Sequence, residues 1–330
     1  MIEIERLTKR YGEHTAVSDL SIHVDSGQIY GFLGPNGAGK STTMNIMTGC
    51  LSATEGHVRI GGHDIFEEPD KAKRLIGYLP EQPPLYLNET PEEYLRFVGE
   101  AKGLRGGELK RQIGEVARQT GIEAVARRRI SALSKGYRQR VGIAQALLGN
   151  PKVIILDEPT VGLDPIQIIE IRDLIKELGQ THTVIFSSHI LSEVQAICDQ
   201  IIMIAKGKLV AFDTPENLEK RLLSPNEVVL ASDAAADEVR ALLHGIDHIT
   251  DFVLEEPETG LVTARVKTDL RNVYDLSRAI FSAFAAGGRV LLELTVKKAD
   301  LEDVFLELAE SNDADIPSPA ESMESEAAEK

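Results

Sequence analysis

The sequence predicts an α/β domain built on a mainly parallel sheet, followed by a smaller α+β domain. First, a glycine-rich loop at 34–42 stands between an apolar run, 29–33, and a helical pattern that begins at Thr43. Second, the apolar run 153–156 ends in two carboxylates, which is typical of a buried parallel strand with ligand-binding groups at its carboxyl end. Third, residues 225–311, apart from a last helix, show the ferredoxin-like order β-α-β-β-α-β.

The glycine-rich loop fits G-x-x-x-x-G-K-[ST], and its strand–loop–helix context is the one this phosphate-binding pattern requires. Glycines let the backbone N–H groups form a concave ring, and the helix N-terminus adds partial positive charge, so we expect a bound di- or triphosphate. Lys40 can reach the β- and γ-phosphates, and the Ser41 hydroxyl is placed for Mg²⁺. An incidental glycine-rich turn is the alternative, and the complete pattern argues against it. The predicted nucleotide contacts are Gly34, Pro35, Asn36, Gly37, Ala38, Gly39, Lys40, Ser41 and Thr42.

Composition narrows the possible functions. The 330 residues suit one large domain and one smaller one, and 42% hydrophobic with 27% charged residues is typical of a globular protein. A formal net charge of −16 argues against a broad nucleic-acid-binding surface, so we expect no nucleic-acid partner. The N-terminus lacks a signal-peptide pattern, and no apolar run approaches the ~20 residues that span a bilayer. We therefore expect a cytoplasmic protein that reaches the membrane through a partner. Cys50 and Cys198 form no metal pattern and are expected to be reduced.

The segment before the phosphate loop, residues 2–33, is predicted to form short antiparallel strands. Tyr11 precedes a glycine, which favours either a turn or packing residue or an aromatic that stacks on a nucleotide base. Residues 56–66 carry a hairpin signal. The run 76–80 is predicted to be a strand ended by proline, and residues 81–84 open a loop.

Residues 91–150 are helical in pattern. Thr90 followed by proline and two glutamates is a helix-start signal, because threonine caps the first turn and proline fits its first position. Further helices are predicted around 108–120 and 137–148.

The apolar strand that precedes Asp157 and Glu158 is predicted to be central in the sheet. Asp157 suits the Mg²⁺ shell, and Glu158 suits the polarisation of a water molecule. The alternative, a surface acidic pair that caps the next helix, does not explain the apolar strand. A helix is predicted over 165–179.

The next apolar run, 183–189, ends in Ser-Ser-His and is predicted to be another central strand. A lone histidine at a strand end is more often structural than catalytic. His189 becomes a candidate because its strand should lie parallel to the strand that ends at Asp157. Two short strands, 200–205 and 208–213, are predicted to close the domain.

Over residues 2–220, these features resemble the ATP-binding cassette family, the ATPase subunits of ABC transporters. The resemblance implies a P-loop NTPase with a RecA-like core, an antiparallel β subdomain and a helical subdomain that carries the signature element. The signature separates this family from kinases, GTPases and recombinase-type ATPases. The matching elements are, in chain order, Tyr11, the loop 34–42, Gln82, Leu133-Ser134-Lys135-Gly136-Tyr137, Asp157-Glu158, Gly162-Leu163-Asp164 and His189.

The resemblance also implies a role for each position, with ATP and Mg²⁺ as cofactors. Tyr11 would stack on adenine, and Gln82 would sense Mg²⁺ and couple to the membrane subunit. Ser134 and Gly136 would grip the γ-phosphate of ATP held by a second copy of the chain. The implied catalytic residues are Lys40, Glu158 (general base) and His189 (γ-phosphate contact); the metal ligands are Ser41, Gln82 and Asp157; the further nucleotide contacts are Tyr11, Gln82, Ser134, Gly136 and Asp164.

The signature departs from the family's common Leu-Ser-Gly-Gly-Gln, because Lys135 and Tyr137 replace glycine and glutamine. Activity is still expected, since Ser134 and Gly136 remain. The single cassette, the run 80–86 and the Lys135 signature resemble the ABC-2 exporter and gliding-motility group. This implies a homodimer that works on an ABC-2-type membrane permease at the inner face of the membrane.

The alternative function is a non-transport cassette ATPase that acts on ribosomes or DNA. Such proteins usually carry two fused cassettes or long coiled-coil inserts. This chain has one phosphate loop, no sustained heptads and an acidic balance, so the alternative is disfavoured.

The predicted domains are an ATP-binding cassette at 1–222, an accessory α+β domain at 225–311 and a disordered acidic tail at 312–330. The accessory domain shows no chemical cluster and is expected to be regulatory or to contact a dimer partner. Its predicted elements are strand 227–232, helix 234–244, strand 249–256, a turn at 258–260, strand 261–267, helix 271–286, strand 290–297 and helix 300–310.

Overall fold

A computed structural model of the chain describes residues 1–222, 227–255, 261–270 and 272–297. It divides into two compact units with a boundary between Pro215 and Glu216. The boundary falls at the start of a helix, Pro215–Leu222, that the sequence assigns to the first domain, so the exact domain limits stay a prediction. Three predicted features lie outside the described residues: the turn at 258–260, the helix at 300–310 and the tail at 312–330.

The first unit contains ten strands and, with the boundary helix, eight α-helices in its described residues. The strands are β1 (Ile2–Tyr11), β2 (His14–Val24), β3 (Ile29–Leu33), β4 (Glu55–Ile60), β5 (His63–Asp64), β6 (Ile76–Leu79), β7 (Val153–Leu156), β8 (Thr183–Ser188), β9 (Gln200–Ala205) and β10 (Lys208–Asp213). The helices are α1 (Lys40–Met47), α2 (Pro69–Arg74), α3 (Pro91–Ala101), α4 (Gly106–Gln119), α5 (Lys135–Leu147), α6 (Pro165–Gly179), α7 (Leu191–Gln195) and α8 (Pro215–Leu222).

A six-stranded sheet in the order β10-β9-β3-β8-β7-β6 forms the centre of this unit. Its strands are parallel except β10, which pairs antiparallel with β9. Every residue of β3, β7 and β8 is buried, which explains their continuous apolar runs, since both faces of a parallel sheet are covered. Because β8 lies between β3 and β7, the loops that leave their carboxyl ends meet at one edge of the sheet.

A second sheet, in the order β2-β1-β4-β5, is antiparallel, as the sequence predicts for the segment before the phosphate loop. Ile4 pairs with Ile22 on one side and with Val58 on the other. These side chains share one buried cluster with Phe32 and Ile155 of the parallel sheet. The common core fixes Tyr11, the last residue of β1, relative to the loop that follows β3.

The helical segment begins as the sequence indicates. Thr90 caps α3: its side chain accepts a hydrogen bond from the Glu93 N–H, and Glu93 accepts from the Thr90 N–H, while Pro91 fills the first helical position. Ser134 caps α5, and Asp164 caps α6. Within the described part of the chain, no helix has the length and apolar character needed to cross a membrane.

The second unit has the predicted ferredoxin-like arrangement. Its sheet has the order β12-β13-β11-β14, all neighbours are antiparallel, and the two helices lie between strands in the order β-α-β-β-α-β. Both helices begin two residues later than predicted. The elements are β11 (Glu227–Ser232), α9 (Ala236–His244), β12 (Ile249–Glu255), β13 (Val262–Thr268), α10 (Val273–Ala286) and β14 (Leu291–Lys297).

The second unit also has an apolar core of its own, in which Val228, Leu230 and Val266 of the sheet pack with Leu276 and Phe284 of α10. We therefore predict that a chain truncated after residue 222 folds and binds ATP with the affinity of the full chain, because the first unit keeps its complete core. Thermal unfolding and nucleotide titration of both chains test this. A truncated chain that folds but no longer binds ATP would show that the second unit contributes to the nucleotide site.

Candidate functional site

The loop between β3 and α1 has a backbone that only glycine tolerates. Gly39 has φ of 102° and Gly37 has φ of 82°, in the left-handed region that favours glycine. A Cβ atom on Gly39 would also lie 2.5 Å from the carbonyl oxygen of Ala16 on β2. This close approach seats the loop against the antiparallel sheet, so that the loop and the end of β1 surround the same space.

Lys40 begins α1 and is buried, although its ammonium group carries a charge. Its Nζ donates to the carbonyl oxygen of Gly34 at 2.7 Å and lies 3.3 Å from Oε1 of Glu158. A buried ammonium needs acceptors or an opposite charge, and these contacts supply both. The structure thus brings the predicted phosphate-binding lysine beside the predicted general base.

Asp157 lies beneath the loop and accepts hydrogen bonds from two hydroxyl groups. Ser41 Oγ donates to Asp157 Oδ1 at 3.2 Å, and Ser187 Oγ donates to the same oxygen at 2.6 Å. Ser187 Oγ also accepts from the backbone N–H of Glu158 at 2.8 Å. The sequence analysis did not assign Ser187 to the site. Its position in the pair of serines that ends the apolar strand β8 could have indicated a polar group at the carboxyl end of the sheet.

Glu158 and His189 face each other across the ends of neighbouring strands. His189 Nδ1 lies 3.0 Å from Glu158 Oε2, within hydrogen-bond distance. Glu158 is buried and has φ of 48°, a left-handed conformation that costs a residue with a side chain roughly 1–2 kcal/mol. Strain of this kind persists where the surroundings over-determine it, and it concentrates at functional sites.

The loop, Glu158 and His189 line one cavity of about 510 Å³, which falls within the size range of small-molecule sites. Tyr11, half-exposed at the end of β1, lies at the same cavity, with the Lys9 ammonium 5.2 Å from the centre of its ring. The remaining lining residues are His14, Ala16, Glu81 and Val161, and sequence reasoning assigned none of them to the site.

Ser134, Gly136 and Asp164 gather at a different place on the first unit. They line a second cavity of about 420 Å³ that shares no lining residue with the first. Ser134 Oγ accepts from the Tyr137 N–H at 3.3 Å, and Asp164 Oδ1 accepts from the Gln167 N–H at 2.9 Å. These residues therefore expose the N-termini of α5 and α6 side by side.

Comparison with known proteins agrees with this geometry. A family model described as ABC transporter matches residues 17–161. The linearmycin resistance ATP-binding protein LnrL of Bacillus subtilis (strain 168) is 33% identical over 311 residues, which cover 93% of this chain and 98% of LnrL. The chain belongs to the ATP-binding proteins of ABC transporters.

One further relative and one solved structure are also similar to this ABC cassette. The bacitracin transport ATP-binding protein BcrA of Bacillus licheniformis is 36% identical over 310 residues, covering 93% of this chain and 97% of BcrA. A solved structure of the cassette MJ0796, described as a dimeric post-hydrolysis state bound to ADP and Pi, aligns with a TM-score of 0.59 at 28% identity. The alignment covers 65% of this chain and 98% of that cassette. The protein is thus an ATP-binding ATPase with the cassette fold predicted from its sequence.

Apart from the three residues at the second cavity, three predicted site residues lie outside the lining of the first cavity: Gly34, Gln82 and Asp157. Gly34 instead accepts a hydrogen bond from Lys40 Nζ through its carbonyl oxygen. Gln82 is exposed in the loop after β6, and its neighbour Glu81 lines the cavity instead. Asp157 is buried below the lining and reaches the site through Ser41. The pKa of Tyr78, also near Asp157, is raised first by burial and then by the charge of that carboxylate, so its hydroxyl stays protonated and donates to Asn45 Oδ1 at 3.2 Å.

Proposed function

We propose that two copies of this chain bind two Mg·ATP between them and power a separate ABC-2-type membrane permease, in the direction of export. The observation that carries the proposal is the separation of the two cavities of the first unit. The phosphate loop lines one cavity, and the signature residues Ser134 and Gly136 line the other. A two-fold dimer places the signature of each protomer over the phosphate loop of its partner and forms two equivalent sites.

The two protomers would contact ATP through different structural elements at each site. The loop N–H groups and Lys40 bind the phosphates, and Tyr11 stacks on the adenine. From the partner, Ser134 and the N-terminus of α5 bind the γ-phosphate, because a helix N-terminus carries partial positive charge and free N–H donors. ATP would then join the two protomers, and hydrolysis would release them.

The oxygen donors of Ser41 and Asp157 fit Mg²⁺, which prefers carboxylate and hydroxyl oxygen. When bound, Mg²⁺ neutralises charge on the phosphates. Glu158 polarises the attacking water by accepting a hydrogen bond from it, and His189 orients the Glu158 carboxylate and contacts the γ-phosphate. Gln82 is assigned to the Mg²⁺ shell and to coupling with the permease; its exposed position suits the second role.

An exposed aromatic patch supports a protein partner at this loop. Tyr86, Leu87 and Phe97 are each about half exposed, at 50%, 49% and 52%, and the rings of Tyr86 and Phe97 lie 5.3 Å apart. Clustered large apolar side chains on a surface mark interaction sites. Tyr86 and Leu87 follow Gln82 in the same loop, and Phe97 lies on α3, which begins after that loop. We therefore assign the patch to the permease, which would hold the protein at the inner face of the membrane.

The names of the relatives support export and transport. LnrL is named for linearmycin resistance and BcrA for bacitracin transport. Both match this chain over nearly their whole length, including its second unit. This similarity also disfavours the alternative of a cassette that acts on ribosomes or DNA.

Sedimentation of a Glu158→Gln chain tests the proposed dimer. We expect a monomer without nucleotide and a dimer with Mg·ATP, because the variant retains ATP between the protomers. A second chain that also carries Ser134→Arg is the matched control and should bind ATP but remain monomeric. Equal dimerisation of both chains, or none in either despite bound ATP, would contradict a shared site.

A further inference from the structure

Glu193 is a buried carboxylate that the proposed mechanism does not use. It lies on α7 and is only 5% exposed. Thr160 Oγ1 donates to its Oε2 at 2.8 Å, and Ser188 Oγ donates to the same oxygen at 2.9 Å. Among the residues that the structure describes, no lysine, arginine or histidine lies within ion-pair distance of it. Two hydroxyl groups are therefore its hydrogen-bond partners.

Such an arrangement is costly, because a buried carboxylate without an opposite charge loses hydration that hydroxyl donors replace only in part. An apolar side chain would stabilise a purely structural helix turn at least as well. We therefore infer that this position needs an acceptor for both hydroxyl groups at once. The need is explained by the two chain segments that carry these hydroxyl groups.

Thr160 and Ser188 lie within two residues of the Glu158–His189 contact, Thr160 two residues after Glu158 and Ser188 directly before His189. Thr160 begins the loop after Glu158, in which the Val161 N–H donates to the Glu158 carbonyl oxygen at 3.2 Å. Ser188 directly precedes His189, and its Oγ also accepts from the N–H of Ile190, the residue after His189, at 3.0 Å. The hydrogen bond therefore links the residues on either side of His189. One carboxylate thus ties together the two chain segments that carry Glu158 and His189.

We propose that Glu193 is a positioning residue that holds His189 against Glu158 for ATP hydrolysis. With Thr160 and Ser188 bound to the same oxygen, the two loops keep a fixed separation, and the 3.0 Å contact between Glu158 and His189 is maintained. Glu193 does not line the nucleotide cavity, so it acts through His189 and not on ATP. The inference rests on the proposed roles of Glu158 and His189.

The test compares Glu193→Met, which removes the acceptor oxygen at similar side-chain size, in the wild-type chain and in a His189→Ala chain. In the wild-type background we expect kcat to fall about 10- to 100-fold, as for a small misplacement of a catalytic group, with nucleotide affinity unchanged. In the His189→Ala background we expect no further fall, because residues that act as a unit are non-additive. Glu177→Met replaces an exposed carboxylate on α6 in the same way and is the matched control.

Thr160 supplies a second pair of variants in case Glu193→Met unfolds. Thr160→Val keeps the shape and removes the hydroxyl group, so kcat should fall; Thr160→Ser keeps the hydroxyl group and should recover it. An equal fall in kcat from Glu193→Met in both backgrounds, or wild-type kcat for the variant, would overturn the inference alone. Wild-type hydrolysis by the His189→Ala chain would instead overturn the proposed role of His189, and the role of Glu193 with it.

Discussion

Replacing Glu158 by Gln is expected to stop ATP hydrolysis and to leave ATP binding intact. Glutamine keeps the size of the side chain and its hydrogen bond to His189, but it cannot accept the proton of an attacking water. Loss of a general base lowers a rate by about 10²- to 10⁴-fold. Binding should survive because the loop and Lys40 are unchanged, and removal of the carboxylate frees the Lys40 ammonium from the 3.3 Å contact. Phosphate release and titration with ATP measure the two effects separately.

In contrast to Glu158→Gln, Lys40→Ala is expected to weaken ATP binding itself. It removes the ammonium that should contact the phosphates, so nucleotide affinity itself should fall. It also leaves the buried Glu158 carboxylate without its cation, which lowers stability, so thermal unfolding must show that the variant is folded. Glu177→Gln should match the wild type in both assays. Wild-type turnover in the Glu158→Gln chain would remove Glu158 from the role of general base.

Much of the fold follows from local patterns. The continuous apolar runs of β3, β7 and β8 predict buried parallel strands, and their order brings the polar residues after each strand to one edge of the sheet. The alternation in the second unit predicts its four strands, and alternate residues of β11 and β13 are buried in the core that the sheet shares with α9 and α10. The phosphate loop is predicted because the backbone conformation at Gly39 requires glycine.

Short helices and tertiary contacts cannot be predicted from such local patterns. The helices α2, α7 and α8 have six, five and eight residues, which is too short for a 3.6-residue period to be clear. Ser187 and Glu193 are ordinary polar residues in the sequence, and only folding brings them to Asp157, Thr160 and Ser188. Residues of this kind act on groups that are distant in sequence, so spacing alone does not indicate them.

Mixing two inactive chains is expected to restore ATP hydrolysis. A Lys40→Ala chain lacks the phosphate-binding lysine, and a Ser134→Arg chain places a bulky cation where the signature should meet the γ-phosphate of its partner. Any dimer that one of these chains forms by itself has two defective sites. In a mixed dimer, the loop of the Ser134→Arg chain meets the signature of the Lys40→Ala chain, and that site is intact.

The size of the recovery is fixed by the two-fold symmetry. With equal amounts and random pairing, half of the dimers are mixed and each has one intact site, so about a quarter of the wild-type activity should return if the sites act independently. Loss of the Ser134 cap of α5 costs about 1 kcal/mol, so unfolding curves must accompany the assay. Mixed dimers shown by sedimentation or cross-linking but without activity would indicate that each chain contains its whole site. The second cavity, with Ser134 and Asp164, would then need a different ligand from the ATP of a partner.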